Sequence, residues 1–133
     1  MSDSPKKILI AEDNPGLARV LSFKFKSCGF TPITCGDGQL AWEMFQQEDV
    51  LAVVSDQEMP RMSGVELCTM IRDVDAQIPF FLVTGRQLEL SSSDAVAALN
   101  ITNIFAKPFS PGSVVSAVES AIAGSVNAEA TTT

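Results

Sequence analysis

The apolar residues of this chain fall into short continuous runs that are separated by stretches with a helical period. Continuous runs are typical of strands that are buried on both faces. The runs lie at residues 7–11, 32–35, 50–54, 78–83 and 103–106. Between them, apolar residues recur every three or four positions, which predicts amphipathic helices. We therefore predict an α/β fold in which a five-stranded parallel sheet carries helices on both faces.

Short polar residues predict where the first three helices begin. Asn14, Asp37 and Ser63 each precede a helical stretch and are suited to accept the free amide hydrogens of a first turn. Two further helices are expected at residues 93–99 and 113–123. Five strands that alternate with five helices are typical of repeated βα units, which form one layered domain.

Composition and charge narrow the range of functions. The chain has 133 residues, of which 46% are hydrophobic and 19% charged, as in one globular domain. A net charge of -7 argues against a nucleic-acid-binding surface and favours a monomer. No apolar run approaches the ~20 residues of a membrane span, and no apolar signal segment follows the charged start.

Cysteine and histidine content restrict the chemistry further. Cys28, Cys35 and Cys68 are odd in number and lack metal-site spacing, so we expect reduced packing residues in a cytoplasmic protein. The chain has no histidine, which excludes histidine-based acid–base catalysis and histidine metal ligation on this chain.

Chemically reactive side chains follow the predicted strands. Glu12 and Asp13 come after the first strand, and the other candidates are Asp56, Thr84 and Lys107, which come after the third, fourth and fifth strands. Sites in open parallel sheets lie at the carboxyl ends of the strands, so these residues are expected to meet at one edge.

Three carboxylates at one edge predict a site for a hard cation. Mg²⁺ prefers oxygen ligands and usually takes one or two carboxylates. Asp13 and Asp56 are the expected ligands, with Glu12 farther from the ion. A bound cation allows a phosphoryl group to approach Asp56, while Lys107 adds positive charge and Thr84 a hydroxyl donor.

Other interpretations of these residues remain open at this point. Each of them, taken alone, is also common as a solvated loop residue. A flavin or nucleotide binder would need a phosphate loop rich in small residues after the first strand, where this chain is acidic. A hydrolase with an aspartyl nucleophile would need a second acid two residues later, and Glu58 stands there.

Four motifs, taken together and in order, resemble the response-regulator receiver domain of two-component signalling. They are "ED" at 12–13, "D-x-x-M-P-x-M-S-G" at 56–64, "TG" at 84–85 and "KPF" at 107–109. The resemblance implies the flavodoxin-like (βα)5 receiver fold and extends from Lys6 to about Gly124.

The resemblance also implies a mechanism. Asp56 would accept a phosphoryl group from a phosphohistidine on a histidine kinase or a histidine phosphotransfer protein. Mg²⁺ would be held by Asp13, Asp56 and the backbone carbonyl of Glu58, and Thr84 and Lys107 would contact the phosphoryl group. Such a domain catalyses only its own phosphorylation and dephosphorylation, and it signals by changing the surface that a downstream protein binds.

The chain departs from the family pattern at the switch position. Where the family often has Tyr or Phe three residues before the lysine, this chain has Ile104. Phe105 follows it, on the opposite face of the predicted strand, and is expected to pack in the core. We also expect Glu58 and Arg86, which carry opposite charges, to pair across the open side of the site.

The predicted domain organisation is simple. Residues 1–124 are expected to form the receiver domain, and residues 125–133 a short flexible tail without an output domain. The chain is then either a stand-alone receiver or a piece of a longer regulator or hybrid kinase.

Overall fold

The computed structural model describes residues 5–132, and it describes side chains for residues 5–124. This part of the chain contains five strands and six helices. The strands are β1 (Lys7–Ala11), β2 (Thr31–Cys35), β3 (Ala52–Asp56), β4 (Phe80–Thr84) and β5 (Asn103–Ala106). The helices are α1 (Pro15–Ser27), α2 (Gly38–Gln47), α3 (Gly64–Val74), α4 (Gln87–Ser91), α5 (Asp94–Ala97) and α6 (Pro111–Thr132).

The strands form one parallel sheet in the order β2-β1-β3-β4-β5. This topology confirms the predicted α/β class and the five-stranded parallel sheet. β1 and β3 lie in the middle, so their carboxyl ends are flanked by neighbouring strands on both sides.

The sheet separates two apolar cores. One face of the sheet packs against α1 and α6 through residues such as Phe25, Phe81 and Val114. The other face packs against α2 and α3 through residues such as Ala41, Leu67 and Phe80. Alternating residues along each strand thus serve opposite cores, as expected for a sheet covered on both faces.

Three strands differ from their predicted bounds: β2 begins one residue earlier, at Thr31, and β3 and β4 are displaced towards their carboxyl ends. The runs at 50–54 and 78–83 pair only from Ala52 and from Phe80, and both strands continue into a polar residue at the end. Val50 and Ile78 are buried without being paired. An apolar run in the sequence therefore indicates which residues are buried. The bounds of a strand depend instead on which residues form backbone hydrogen bonds with the neighbouring strand.

The predicted helix starts are confirmed. The side chain of Asn14 accepts hydrogen bonds from the amides of Gly16 and Leu17, and that of Asp37 from Leu40. Ser63 forms a capping box with Glu66, in which each side chain accepts from the other's backbone amide.

Between β4 and β5 the structure has two short helices, α4 and α5, rather than the single predicted helix at 93–99. Ser92 and Ser93, the last two of three consecutive serines, separate them. Ser92 donates to the Leu88 carbonyl and Ser93 caps α5, so side-chain hydrogen bonds compete with a continuous helix here.

Other predictions were wrong in detail. Cys35 and Cys68 are buried as expected, but Cys28 is exposed and does not pack in the core. Helix α6 extends well beyond the predicted 113–123. The side chains of the expected tail, 125–133, lie outside the described residues, and its flexibility stays a prediction.

Within residues 5–132, none of the helices combines the length and the apolar character that crossing a bilayer requires.

Candidate functional site

The carboxyl ends of four strands bring the predicted site residues to one edge of the sheet. Glu12 and Asp13 follow β1, Asp56 ends β3, Thr84 ends β4 and Lys107 follows β5. These four strands are consecutive neighbours in the sheet. The amide of Lys107 donates to the Thr84 carbonyl over 2.9 Å, which continues the pairing of β4 and β5 and fixes the start of the lysine side chain.

Asp56 is a buried carboxylate whose Oδ1 contacts a lysine but accepts no well-directed hydrogen bond. Its exposed fraction is 2%. Nζ of Lys107 lies 2.9 Å from Oδ1 of Asp56 and forms an ion pair with it. Among the described side chains, this Oδ1 is the buried polar atom that accepts no well-directed hydrogen bond. A buried carboxylate oxygen in this state is suited to receive a further ligand.

Burial and neighbouring charges act on Asp56 in opposite directions. Burial raises the pKa of its carboxyl above the ordinary value, and the charges of Glu58 and Asp13 add to the increase. The Lys107 ammonium favours the ionised carboxylate and limits the shift. Burial alone would lower the pKa of Lys107, but contact with Asp56 raises it above the usual value.

Glu12, Asp13 and Asp56 form an acidic cluster. Each offers a carboxylate oxygen, and these oxygens lie within 4.8 Å of one another. Glu12 is buried, with 4% exposed, whereas Asp13 is exposed. Burial, reinforced by the charge of Asp56, raises the pKa of Glu12 from 4.5 to about 7.

The donors of this cluster fit a hard divalent cation. They are all carboxylate oxygens, they are held by adjacent strands, and Oδ1 of Asp56 accepts no well-directed hydrogen bond from the lysine that it contacts. The burial of Glu12 was not expected, because the sequence placed it farther from the ion than Asp13. Its backbone amide donates to the Cys35 carbonyl over 2.9 Å, which keeps Glu12 in line with the sheet.

Thr84 is fully buried and is hydrogen-bonded on both sides of its oxygen. Its hydroxyl donates to Oε2 of Glu58 over 3.0 Å. The same oxygen accepts the backbone amide of Arg86, also at 3.0 Å.

The expected pair between Glu58 and Arg86 is present. Nε of Arg86 lies 3.9 Å from Oε2 of Glu58 and 3.9 Å from Oε1 of Glu89. Both partners of the first pair are well exposed, so its effect on stability is small. The Glu58 side chain faces Thr84 and Arg86 and does not belong to the acidic cluster. Its backbone carbonyl as a metal ligand stays a prediction.

Close packing beneath Asp56 requires a glycine at position 64. A Cβ on Gly64 would lie 2.5 Å from the Asp56 carbonyl oxygen and 2.5 Å from Cδ1 of Leu82, which is too close. Gln57 anchors the same turn, since its carbonyl accepts from Gly64 and its Oε1 from Val65. Gln57 was not among the predicted site residues, because its side-chain contact joins residues eight positions apart and has no sequence signature.

A family model described as the response regulator receiver domain matches residues 8–119. The chain belongs to this family. Receiver domains of response regulators are signalling domains, and the match covers all of the site residues described above.

Among its curated relatives, the receiver domain is 29% identical to the alkaline phosphatase synthesis transcriptional regulatory protein PhoP of Bacillus subtilis (strain 168). That match covers 82% of this chain and 45% of PhoP. The chain spans at most about half the length of the first relatives it matches.

Solved structures show the same fold. A receiver domain protein from Clostridium thermocellum has a TM-score of 0.80 at 19% identity, covering 90% of this chain and 95% of that one. The response regulator TrrA from Thermotoga maritima, crystallised in complex with Mg²⁺-BeF, has a TM-score of 0.77 at 24% identity. That comparison covers 87% of this chain and 98% of TrrA.

Proposed function

We propose that Asp56 of this receiver domain accepts a phosphoryl group from a phosphohistidine on a histidine kinase or a histidine phosphotransfer protein. The observation that carries the proposal is the buried Asp56 carboxylate, whose Oδ1 lies 2.9 Å from Nζ of Lys107 and accepts no well-directed hydrogen bond. The domain then acts on a downstream protein through a changed surface, and its catalysis is limited to its own phosphorylation and dephosphorylation.

The transfer replaces one bond to phosphorus with another. A carboxylate oxygen of Asp56 forms a bond to phosphorus while the bond from phosphorus to the imidazole nitrogen breaks, and its electron pair stays on that nitrogen. Lys107 provides positive charge next to the phosphoryl oxygens, and the Thr84 hydroxyl provides a hydrogen-bond donor. Such positioning and charge stabilisation are the main means of catalysing phosphoryl transfer.

Mg²⁺ is the cofactor we propose for this step. Asp13, Asp56 and the backbone carbonyl of Glu58 would hold it, with Glu12 in support. The ion would neutralise the acidic cluster and the phosphoryl oxygens when bound. The receiver unit is proposed to extend over residues 1–124.

Mass spectrometry of the chain incubated with Mg²⁺ and acetyl phosphate tests the proposal. We expect one added phosphoryl group on the wild-type chain and none on Asp56→Asn, because an amide cannot act as the nucleophile. Asp49→Asn makes the same chemical change at an exposed position before β3 and should be phosphorylated like the wild type. An adduct of equal yield on Asp56→Asn would refute the assignment.

A further inference from the structure

The loop between β3 and α3, residues 57–63, contains Glu58, whose backbone carbonyl is one of the proposed Mg²⁺ ligands. Such a ligand has to be held in place, because Mg²⁺ demands nearly ideal octahedral geometry. The amide of Gly64 donates to the Gln57 carbonyl over 3.0 Å, and the Gln57 amide donates to the Val83 carbonyl of β4 over 2.8 Å. The two ends of the loop are therefore fixed to the sheet, and the position of its middle depends on further contacts.

The loops at this edge of the sheet are held in different ways. The segment after β4 is anchored to β5, because the side-chain amide of Gln87 donates to the Ile104 carbonyl over 2.7 Å. The middle of the loop after β3 instead lies against the start of helix α2, which belongs to a different part of the chain. Its position therefore depends on α2.

Gly38, the first residue of α2, allows an unusually close approach to this loop. It is buried, and a Cβ at this position would lie 2.7 Å from Cβ of Met62 and closer still to the Met62 carbonyl oxygen. These atoms belong to the backbone or are attached to it directly, so they cannot move aside as the end of a long side chain can. Any other residue at position 38 would push α2 and the loop apart.

An ion pair connects the same two segments. Nε of Arg61 lies 3.4 Å from Oδ2 of Asp37, the residue that caps α2 through a hydrogen bond from the Leu40 amide. Arg61 has a φ of 71°, in the left-handed region that residues with a Cβ seldom adopt. Such a conformation persists where neighbouring contacts hold it. The loop is thus strained at the residue that the ion pair holds.

The connection between β2 and α2 also reaches the acidic cluster. The Cys35 carbonyl accepts the backbone amide of Glu12 over 2.9 Å. Three residues later, Gly38 lies against the loop that contains Glu58. Residues 35–38 therefore span the distance between the strand end that carries the acidic pair and the loop after β3.

We propose that Gly38 is a positioning residue for Mg²⁺ binding. Its close packing on Met62 holds the loop after β3 where the Glu58 carbonyl can bind the ion, and the ion pair between Asp37 and Arg61 keeps the loop there. The effect of Gly38 on metal affinity rests on the proposed Mg²⁺ site, whereas its effect on the loop concerns the metal-free chain alone. Helix α2 thereby sets the affinity of a site whose proposed ligands all lie outside it.

Two glycines of the same connection give a matched comparison. Gly36→Ala places a Cβ in open space, whereas Gly38→Ala places one against Met62. In NMR spectra of the metal-free chain, Gly38→Ala should shift the backbone amide resonances of Glu58 and Met62, and Gly36→Ala should leave both nearly unchanged. Alanine favours a helix more than glycine does, so weakening of α2 would not explain the shift.

NMR titration with MgCl₂ tests the metal affinity. Gly38→Ala should raise the dissociation constant about fivefold, and Gly36→Ala should change it by less than about twofold. Circular dichroism establishes that each variant is folded at the temperature of the titration. If Gly38 served only the stability of the fold, the dissociation constant of the folded chain would be the same as in the wild type.

A second variant tests the ion pair and decides the matter if Gly38→Ala does not fold. Arg61→Gln removes a positive charge, so electrostatics alone predicts tighter binding of a cation. Loss of the contact that holds the loop predicts the opposite, and we expect the dissociation constant to rise twofold to threefold. Arg19→Gln makes the same change of charge at a cavity that Arg19 lines together with Glu12 and Asp13. It should leave the dissociation constant unchanged or lower it.

The outcomes distinguish the role of Gly38 from the proposed function. If the wild type binds Mg²⁺ and Gly38→Ala and Arg61→Gln bind it equally well, the role of Gly38 is refuted and the proposed metal site stands. Equal weakening by Gly36→Ala and Gly38→Ala would also refute that role. If the wild type does not bind Mg²⁺, the proposed metal site and the role of Gly38 in affinity are both refuted. The spectra of the metal-free variants then still decide whether Gly38 positions the loop.

Discussion

Single residues at the site combine burial with unfavourable charge. Glu12 and Asp56 are both nearly inaccessible, and burial raises the pKa of each carboxyl. Asp13 adds a third carboxylate at the exposed side of the cluster. Lys107 is the cation in contact with Asp56. The cluster therefore has more negative charge than its own lysine neutralises, and this excess favours binding of a cation.

Neutralising Asp13 should stabilise the metal-free domain. Asp13→Asn removes a charge that repels Glu12 and Asp56, and the repulsion between partly solvated carboxylates about 5 Å apart is worth about 1 kcal/mol. We expect thermal unfolding without metal to occur about 4 °C higher than in the wild type. Mg²⁺ should raise the unfolding temperature of the wild type and have much less effect on this variant.

The control is Asp49→Asn, which neutralises an exposed carboxylate away from the cluster. It should change neither the unfolding temperature nor the response to Mg²⁺. If Asp13→Asn unfolds at a lower temperature without metal and responds to Mg²⁺ like the wild type, Asp13 is not a ligand.

Whole elements are fixed by side chains that reach across loops. Arg72 of α3 donates to four backbone carbonyls, those of Leu99, Asp75, Ile78 and Asn100, at 2.7 to 3.1 Å. These carbonyls belong to the connection before β4 and the connection before β5. The planar guanidinium therefore fixes the starts of β4 and β5. β4 ends in Thr84, and Lys107 follows β5.

Replacing Arg72 should destabilise the domain even when the charge is retained. Arg72→Lys keeps one positive charge but cannot reach four carbonyls with one ammonium, so we expect a loss of about 2 kcal/mol in the free energy of unfolding in urea. Arg61→Lys is the matched control, because Arg61 is 72% exposed and its one ion pair with a described side chain is to Asp37, at 3.4 Å. It should cost less than about 0.5 kcal/mol. A similar result for both variants would contradict the role of Arg72.

The sequence predicts those features that depend on contacts between residues close together in the chain. The caps at Asn14, Asp37 and Ser63 were predictable, because a capping side chain bonds to amides two or three residues away. The meeting of Asp56 and Lys107 followed from the rule for the ends of parallel strands. The contacts of Arg72 and Gln87 were not predictable, since they join residues far apart and no periodicity records them. The break between α4 and α5 was missed because serines are only weakly unfavourable in helices.

The whole molecule has an uneven distribution of charge. The net charge is -7, yet α1 contains Arg19, Lys24 and Lys26 and no acidic residue. Val20 and Phe23 of the same helix are 48% and 73% exposed. The first turn of α1 begins two residues after Asp13, so this mixed basic and apolar surface starts beside the site at Arg19 and Val20 and extends away from it to Lys24 and Lys26 in the last turn. If the proposed function is correct, we expect this surface to bind a phosphohistidine partner through acidic and apolar side chains.

An acidic substitution on α1 should slow transfer from a protein donor only. The donor in this test is a histidine kinase or phosphotransfer protein that phosphorylates the wild type. Val20→Asp should slow phosphorylation by this donor about tenfold, because the substitution places a charge in an apolar contact. Labelling by acetyl phosphate should be unchanged, since the small donor does not contact α1. The matched control is Val74→Asp. Val74 is the last residue of α3, away from the site, and is 66% exposed. Equal effects of both variants on the protein donor would argue against α1 as the docking surface.

The hydrogen bond from Gln87 to Ile104 also bears on how separate molecules behave towards one another. β5 is an outer strand, and the unpaired backbone groups of an outer strand can be joined by a strand of another chain, which is a route to aggregation. Here helix α4 lies beside that strand, and the Gln87 side-chain amide joins the two by donating to the Ile104 carbonyl. A helix beside an outer strand hinders pairing with another chain, so the contact of α4 with β5 also protects the sheet from aggregation.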